Sequence, residues 1–204
     1  MSSTPPEFNL AHSPAAERNR EPIADQLERL LVPGDRVLEI GSGTGQHVSF
    51  FARRFADVLW FPSDLAENVP SVAARVAAQP SPNLQPPAEL DVLTARHLPG
   101  EPTVIYSANT LHIMPPEGGP ALLRLAASRL PPGGRLIVYG PFRERGRELE
   151  ASNAAFEQLL QERDPRMGLR VLDSLDELAS SLGLVRTHLA TMPANNRLVC
   201  WTRR

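Results

Sequence analysis

A chain of 204 residues with 42% hydrophobic and 22% charged residues has the size and balance of one globular domain, which excludes a disordered tail or a fibre. Its 21 basic residues are all arginine and face 23 acidic ones, leaving a formal net charge of -2. With aromatics at only 5% as well, neither a nucleic-acid footprint nor affinity for an anionic membrane is expected. The single cysteine, Cys200, can close no internal disulfide and anchors no cysteine metal site, so the expectation is a reducing, cytoplasmic setting with no metal. Met1 to His12 lacks the basic start and apolar run of a secretory signal, and no apolar stretch has the length of a membrane span.

Residues 1–13 are polar and without periodicity, which predicts a flexible arm ahead of a single domain over residues 14–204. A helical pattern follows, with Pro22 read in its first turn and Ile23, Leu27, Leu30 and Leu31 on one face, until Pro33-Gly34 stops it. Arg36 to Ile40 reads as a strand, and the glycine-rich turn Gly41 to Gly45 opens a helix to about Arg54. The alternation repeats: a strand from Val58 ending at Ser63-Asp64, a helix over Val69 to Ala78, a short strand before Asp91, a strand over Thr103 to Ala108, a helix over Pro115 to Leu130 and a strand over Arg135 to Gly140. Strands alternating with helices predict a mostly parallel sheet covered on both faces. Residues 142–168 break the rhythm, being rich in arginine and glutamate around one helix, Asn153 to Arg163, and read as an insertion over the sheet's edge. A last helix over Leu175 to Leu182, capped by Asp173 or Ser174, leads to two strands joined tightly through Met192 to Asn196, which predicts an antiparallel final pair.

The chemistry concentrates in Glu39-Ile-Gly41-Ser42-Gly43-Thr-Gly45-Gln46-His47, where the first strand meets a helix. Glycines there permit a sharp turn and close approach of a ligand to the backbone, and the free N–H groups of a helix start attract negative groups. A dinucleotide loop reads G-x-G-x-x-G, but Gln46 stands at its third glycine, so the G-x-G-x-G spacing disfavours a nucleotide-cofactor oxidoreductase. The loop instead resembles the S-adenosyl-L-methionine (SAM) loop of class I methyltransferases. In that arrangement Asp64 accepts from the ribose hydroxyls, Glu39 orients the loop and answers the ammonium, and Asp91 accepts from the adenine amino group. Leu65, Val92 and Ser107 are counted beside them as cofactor contacts. Asn109 and His112 follow the fourth strand, nearest the transferred methyl, with His112 a candidate general base.

Further segments carry a closer resemblance: Ala15 to Ile23 with Glu17-Arg18-Asn19, the loop through His47, Tyr139 to Phe142, Ser152 to Phe156, Arg163 to Pro165 and Met192 to Asn196. Together they resemble a small SAM-dependent methyltransferase-like family, once labelled a domain of unknown function, whose animal member is methyltransferase-like protein twenty-six. The resemblance implies a Rossmann-like class I methyltransferase sandwich, an α/β fold with a mostly parallel seven-stranded sheet and an antiparallel C-terminal strand. It implies SAM as cofactor and leaves the acceptor open; the expectation is an enzyme acting on a small molecule, with a non-catalytic SAM-binding module as the alternative. Polar groups beside loops expected to converge on the sheet's C-terminal edge add Arg18 or Asn19 as the contact to the cofactor carboxylate, and Tyr139, Asn153 and Asn196 as the acceptor pocket. Met167 and Pro116 stand where that family commonly has aromatic residues, both near the expected acceptor mouth.

Overall fold

The computed structural model describes residues 10–204; the first nine residues of the expected arm lie outside them. In chain order the elements are α1 (Pro14–Leu30), β1 (Arg36–Ile40), α2 (Gln46–Arg54), β2 (Leu59–Asp64), α3 (Val69–Ala78), β3 (Ala88–Glu89), β4 (Val104–Ala108), α4 (Gly118–Arg129), β5 (Arg135–Gly140), β6 (Phe142–Arg143), α5 (Ala151–Arg163), β7 (Arg170–Val171), α6 (Leu172–Ser181), β8 (Leu184–Met192) and β9 (Asn196–Arg203).

Seven strands form one sheet in the order β3-β2-β1-β4-β5-β9-β8. β1 to β5 pair in parallel, while β9 runs antiparallel to both β5 and β8. The order reverses direction at β1 and β4, and the crevice above their carboxyl ends is where open α/β sheets take ligands. Strands covered on both faces read as continuous apolar runs, as Val104–Tyr106 and Leu136–Val138 do. Leu38, Ile105 and Leu136 point to one face and meet Leu122 of α4 and Leu175 of α6. Val37, Tyr106 and Ile137 point to the other and meet Ile23 and Leu27 of α1 and Phe51 of α2. Each such aliphatic side chain, fully buried, contributes about 1.5–3 kcal/mol. No helix among the described residues is long and apolar enough to cross a membrane.

Three local expectations are corrected. Pro22 lies inside α1, not in its first turn: the helix starts at Pro14, and the Ser13 side chain caps it by accepting from Ala16 N–H. Proline lacks a donor, so the Arg18 carbonyl loses its helical partner on an exposed face. The last helix starts at Leu172, earlier than expected, so the cap position falls on Val171, which has no acceptor, and Asp173 stands inside the first turn with its carboxylate accepting from Arg145 N–H at 2.7 Å. Residues 10–13 are tied down as well: Arg75 donates to the Ala11 carbonyl and Ser13 N–H donates to Gln46 Oε1.

The insertion is held over the carboxyl ends of β4 and β5. β6 and β7 pair in parallel, Gly168 N–H donates to the His112 carbonyl at 3.0 Å, and Asn153 Nδ2 donates to the Asn195 carbonyl at 3.3 Å. Its arginines are committed to carboxylates, Arg143 to Glu157 and Arg145 to Glu177. Cys200 is fully buried on β9, where burial pushes its thiol pKa up.

Candidate functional site

β1 ends at Ile40 and the chain turns back over the sheet through three glycines with φ of 75°, 57° and 69° at 41, 43 and 45. Only glycine holds such angles freely. A Cβ at Gly41 would lie 2.6 Å from the Thr110 side chain, whereas one at Gly43 would meet nothing within 4 Å, so the backbone there faces open space. The loop is anchored to β2. Gly41 and Ser42 N–H both donate to the Ser63 carbonyl at 3.0 Å, and Gly43 N–H donates to Asp64 Oδ2 at 2.6 Å. Asp64 Oδ1 accepts from Leu65 N–H and Asn68 Nδ2, each at 2.8 Å. Three of the carboxylate's roughly four acceptor positions are thus taken, and one remains on Oδ2 for a ligand hydroxyl.

Beside this loop opens a cavity of about 430 Å³, a size that suits a drug-sized ligand. Of the residues singled out in the sequence, Gly41, Ser42, Gly43, His47, Asp64 and Leu65 line it from the β1 and β2 side, and Asp91, Val92 and Asn109 from beyond β3 and β4. Sequence reasoning missed Ser13, Ala15 and Ala16 at the start of α1, and Ile113, Met114 and Pro115 after β4. The first group lies ahead of the helix start that a first-turn Pro22 implies. The Ser13-Pro14 cap signal would have found it.

The other residues singled out do not reach the cavity. Arg18 is exposed on α1, and Ser107 is buried with its hydroxyl donating to the Ile40 carbonyl at 2.9 Å. Gly45 serves as the left-handed cap of α2. Gln46 turns toward α1, accepting from Ser13 N–H and donating from Nε2 to Glu17 at 3.4 Å. Tyr139 is 2% exposed in the core beneath α1, Asn153 holds the β8–β9 turn, and Asn196 donates to the Pro193 carbonyl at 2.9 Å within that turn.

Asn19 meets the loop, not a ligand: its side chain stands 2.6 Å from His47 Nε2. Burial pushes the His47 pKa down to about 4, against a hydrogen bond to the Ala16 backbone that opposes it and the Arg20 charge that adds to it. The atom facing Nε2 is Asn19 Oδ1, so the contact closes as a hydrogen bond in the tautomer that carries its proton on Nε2. Gln46 and His47 therefore clamp the first turns of α1 against the glycine loop, and α1 supplies a wall of the cavity.

Glu39 is 2% exposed and sits below the loop. Burial pushes its pKa up to about 7, a Ser42 hydrogen bond opposes that rise, and the Asp64 charge adds to it. Its Oε2 has no partner among the described residues. His112 is not brought to the cavity: its ring packs edge-on against Phe156, with centroids 5.2 Å apart. Burial and then the Arg170 charge push its pKa down to about 4, so the ring is neutral at pH 7. Asn109 does line the cavity, in the left-handed region at φ 55°, fixed by its N–H donating to the Tyr139 carbonyl at 2.8 Å. Asparagine tolerates that region better than most residues, and the turn it makes there aims the chain after β4 along the cavity wall.

Residues 11–203 match a family described as "Protein of unknown function (DUF938)". Phosphoethanolamine N-methyltransferase 1 of Arabidopsis thaliana is 36% identical over 110 residues, which are 53% of this chain and 21% of that protein. An O-methyltransferase family protein from Burkholderia thailandensis superposes with a TM-score of 0.78 at 18% identity, covering 93% of this chain and 57% of the other. Human N-acetylserotonin methyltransferase in complex with SAM gives a TM-score of 0.76 at 16% identity, covering 93% and 52%. The chain thus spans about a fifth of the curated relative and a little over half of these structures. The fold is that of the class I SAM-dependent methyltransferases.

Proposed function

This chain belongs to the DUF938 family, built on the class I methyltransferase fold, and from that premise we propose that it binds SAM in the cavity beside the glycine loop and transfers the methyl group to a small molecule. The observation that carries the reading is the convergence of an open glycine backbone at Gly43 with two carboxylates, Asp64 and Asp91, on one cavity at the carboxyl ends of successive strands. The residues present fit the cofactor: Asp64 keeps one acceptor position for a ribose hydroxyl, and Asp91 stands beside Val92 and Leu93 for an adenine, while Glu39, outside the cavity lining, lies buried beneath the loop.

SAM, when bound, supplies an electrophilic methyl group. What the chain's own residues supply is alignment, which in well-oriented systems lowers a barrier by about 7–11 kcal/mol. α1 closes one side through Ser13, Ala15 and Ala16, and Asn109 with Ile113 and Met114 forms the other. The experiment is incubation with methyl-labelled SAM and the low-mass fraction of a cell extract. A labelled low-mass product, lost in Asp64→Ala, is expected. Label only on macromolecules would overturn the small-molecule acceptor, and no label in any fraction would overturn transfer.

A further inference from the structure

At the end of the sheet opposite the glycine loop, a second cleft gathers positive charge. It has a volume of about 630 Å³ and lies where β1 and β4 begin and α4 and β9 end, with Arg36, Arg129, Arg203, His97 and Glu101 in its lining. Three guanidiniums face one carboxylate there, so two positive charges stand uncompensated even with His97 counted neutral. The whole chain carries a net charge of -2, so its composition does not account for this excess.

The arginines of this edge are of two kinds. Arg135 is structural: its Nη2 donates to both carboxylate oxygens of the buried Asp35, at 2.6 and 2.8 Å. Arg129 donates from Nη2 to the Arg96 carbonyl and Arg203 from Nη1 to the Leu130 carbonyl, and neither meets a carboxylate among the described residues. Arg36 donates from Nε to the Glu101 carbonyl at 2.8 Å, and its Nη2 stands 3.6 Å from the Glu101 carboxylate, whose side chain is 91% exposed. So open a pair holds weakly. Of the five N–H donors on each guanidinium, those on Arg36 Nη1, on Arg129 Nε and Nη1, and on Arg203 Nε and Nη2 have no partner among the described residues.

Unpaired cations gathered around one cleft repel one another, and a cleft lined by one sign of charge concentrates the opposite ion. Guanidinium donors form planar forks that match the oxygens of phosphate and carboxylate groups. Here the forks arrive from β1, α4 and β9, which suits an anion with several linked groups over one with a single group. We infer that this cleft binds a small, multiply charged oxyanion built of linked phosphate or carboxylate groups, held by Arg36, Arg129 and Arg203, and that the ligand displaces Glu101 from Arg36. The site lies at the other ends of the strands from the cofactor cavity and does not rest on the cofactor reading.

The test is calorimetric titration of pyrophosphate, citrate, orthophosphate and a short single-stranded RNA into the whole protein. Pyrophosphate or citrate should bind at one equivalent, at least tenfold tighter than orthophosphate, and the tighter of the two identifies the group recognised. Arg129→Gln, at an exposed position, and Arg203→Gln should each weaken that binding about tenfold, whereas Arg145→Gln, on the insertion, should change it less than twofold. Glu101→Gln should tighten it twofold or more, a gain that damage to the fold cannot mimic. Saturation with S-adenosylhomocysteine should leave the dissociation constant within twofold. The inference is overturned if neither anion binds saturably, if Arg145→Gln weakens binding as much as Arg129→Gln does, if Glu101→Gln weakens it, if S-adenosylhomocysteine competes, or if the RNA binds more tightly than both small anions.

Discussion

The two sides of the cavity are built on different principles. The β1–β2 side is a lattice of backbone donors and fixed acceptors: Gly41, Ser42 and Gly43 bond to Ser63 and Asp64, and Asp64 is held in turn by Leu65 and Asn68. The side after β4 presents Asn109, Thr110, Ile113, Met114 and Pro115, with apolar surface open to solvent at Ile113 and two polar side chains. A lattice of that kind suits a ligand whose polar atoms are always the same, whereas an apolar rim leaves its occupant's outline free. On the proposed reading, the contrast assigns the cofactor to main-chain geometry and the acceptor to a few side chains that can change without disturbing the fold.

Breaking the lattice side should have the larger consequences. Gly41→Ala puts a methyl group 2.6 Å from Thr110 at a φ of 75°, and strain plus overpacking should destabilise the protein by about 2–4 kcal/mol, read as a lower urea midpoint, with SAM affinity falling in parallel. Unaltered stability would mean that the loop adapts and the lattice is softer than described. Asp64→Ala removes a charge-assisted acceptor as well as the anchor of Gly43 N–H, and SAM should bind about 100-fold more weakly. An unchanged dissociation constant would remove Asp64 from the site.

Proton linkage separates the buried groups from the rim. His47 and His112 titrate near 4 in the folded protein against 6.5 unfolded, so between those values the unfolded chain holds their two protons and the folded one neither. Glu39 is the reverse: with a folded pKa of about 7 against 4.5, the folded state keeps a proton that the unfolded state has lost. Two protons against one leaves the unfolded state richer by about one. Stability should therefore climb by about 1.4 kcal/mol per pH unit from pH 4.5 to 6.5 and then level off or decline, as the histidine contribution saturates while that of Glu39 continues to pH 7. His47→Asn should flatten this slope, and a slope left intact by the substitution would contradict the burial argument. The smallest effect is expected on the rim: Ile113→Ala should change stability by less than about 0.5 kcal/mol and SAM affinity by less than twofold, while altering acceptor turnover.

The fold was legible because its signals are local. Glycines after an apolar strand, acids at successive strand ends and the tight Met192–Asn196 connection each state their structure within a few residues. Gly43, Asp64, Asp91 and Asn109 followed from that and stand around one cavity. What could not be read is nonlocal: that Asn19 meets His47 and that Ser13 and Glu17 meet Gln46, and that Tyr139 and His112 turn into packed surroundings away from the cavity. A polar side chain near the right strand end has two faces available, and only tertiary packing decides which it takes. The start of α6 at Leu172 is of the same kind: Asp173 stands within its first turn and takes a partner, Arg145 N–H, that lies far away in sequence.

Titration of SAM into the purified protein by calorimetry tests the central claim most directly, with NAD as the comparison. One equivalent of SAM should bind with a dissociation constant that Asp64→Ala raises about 100-fold, and NAD should give no heat of binding. Saturable binding of NAD with none of SAM would contradict the account.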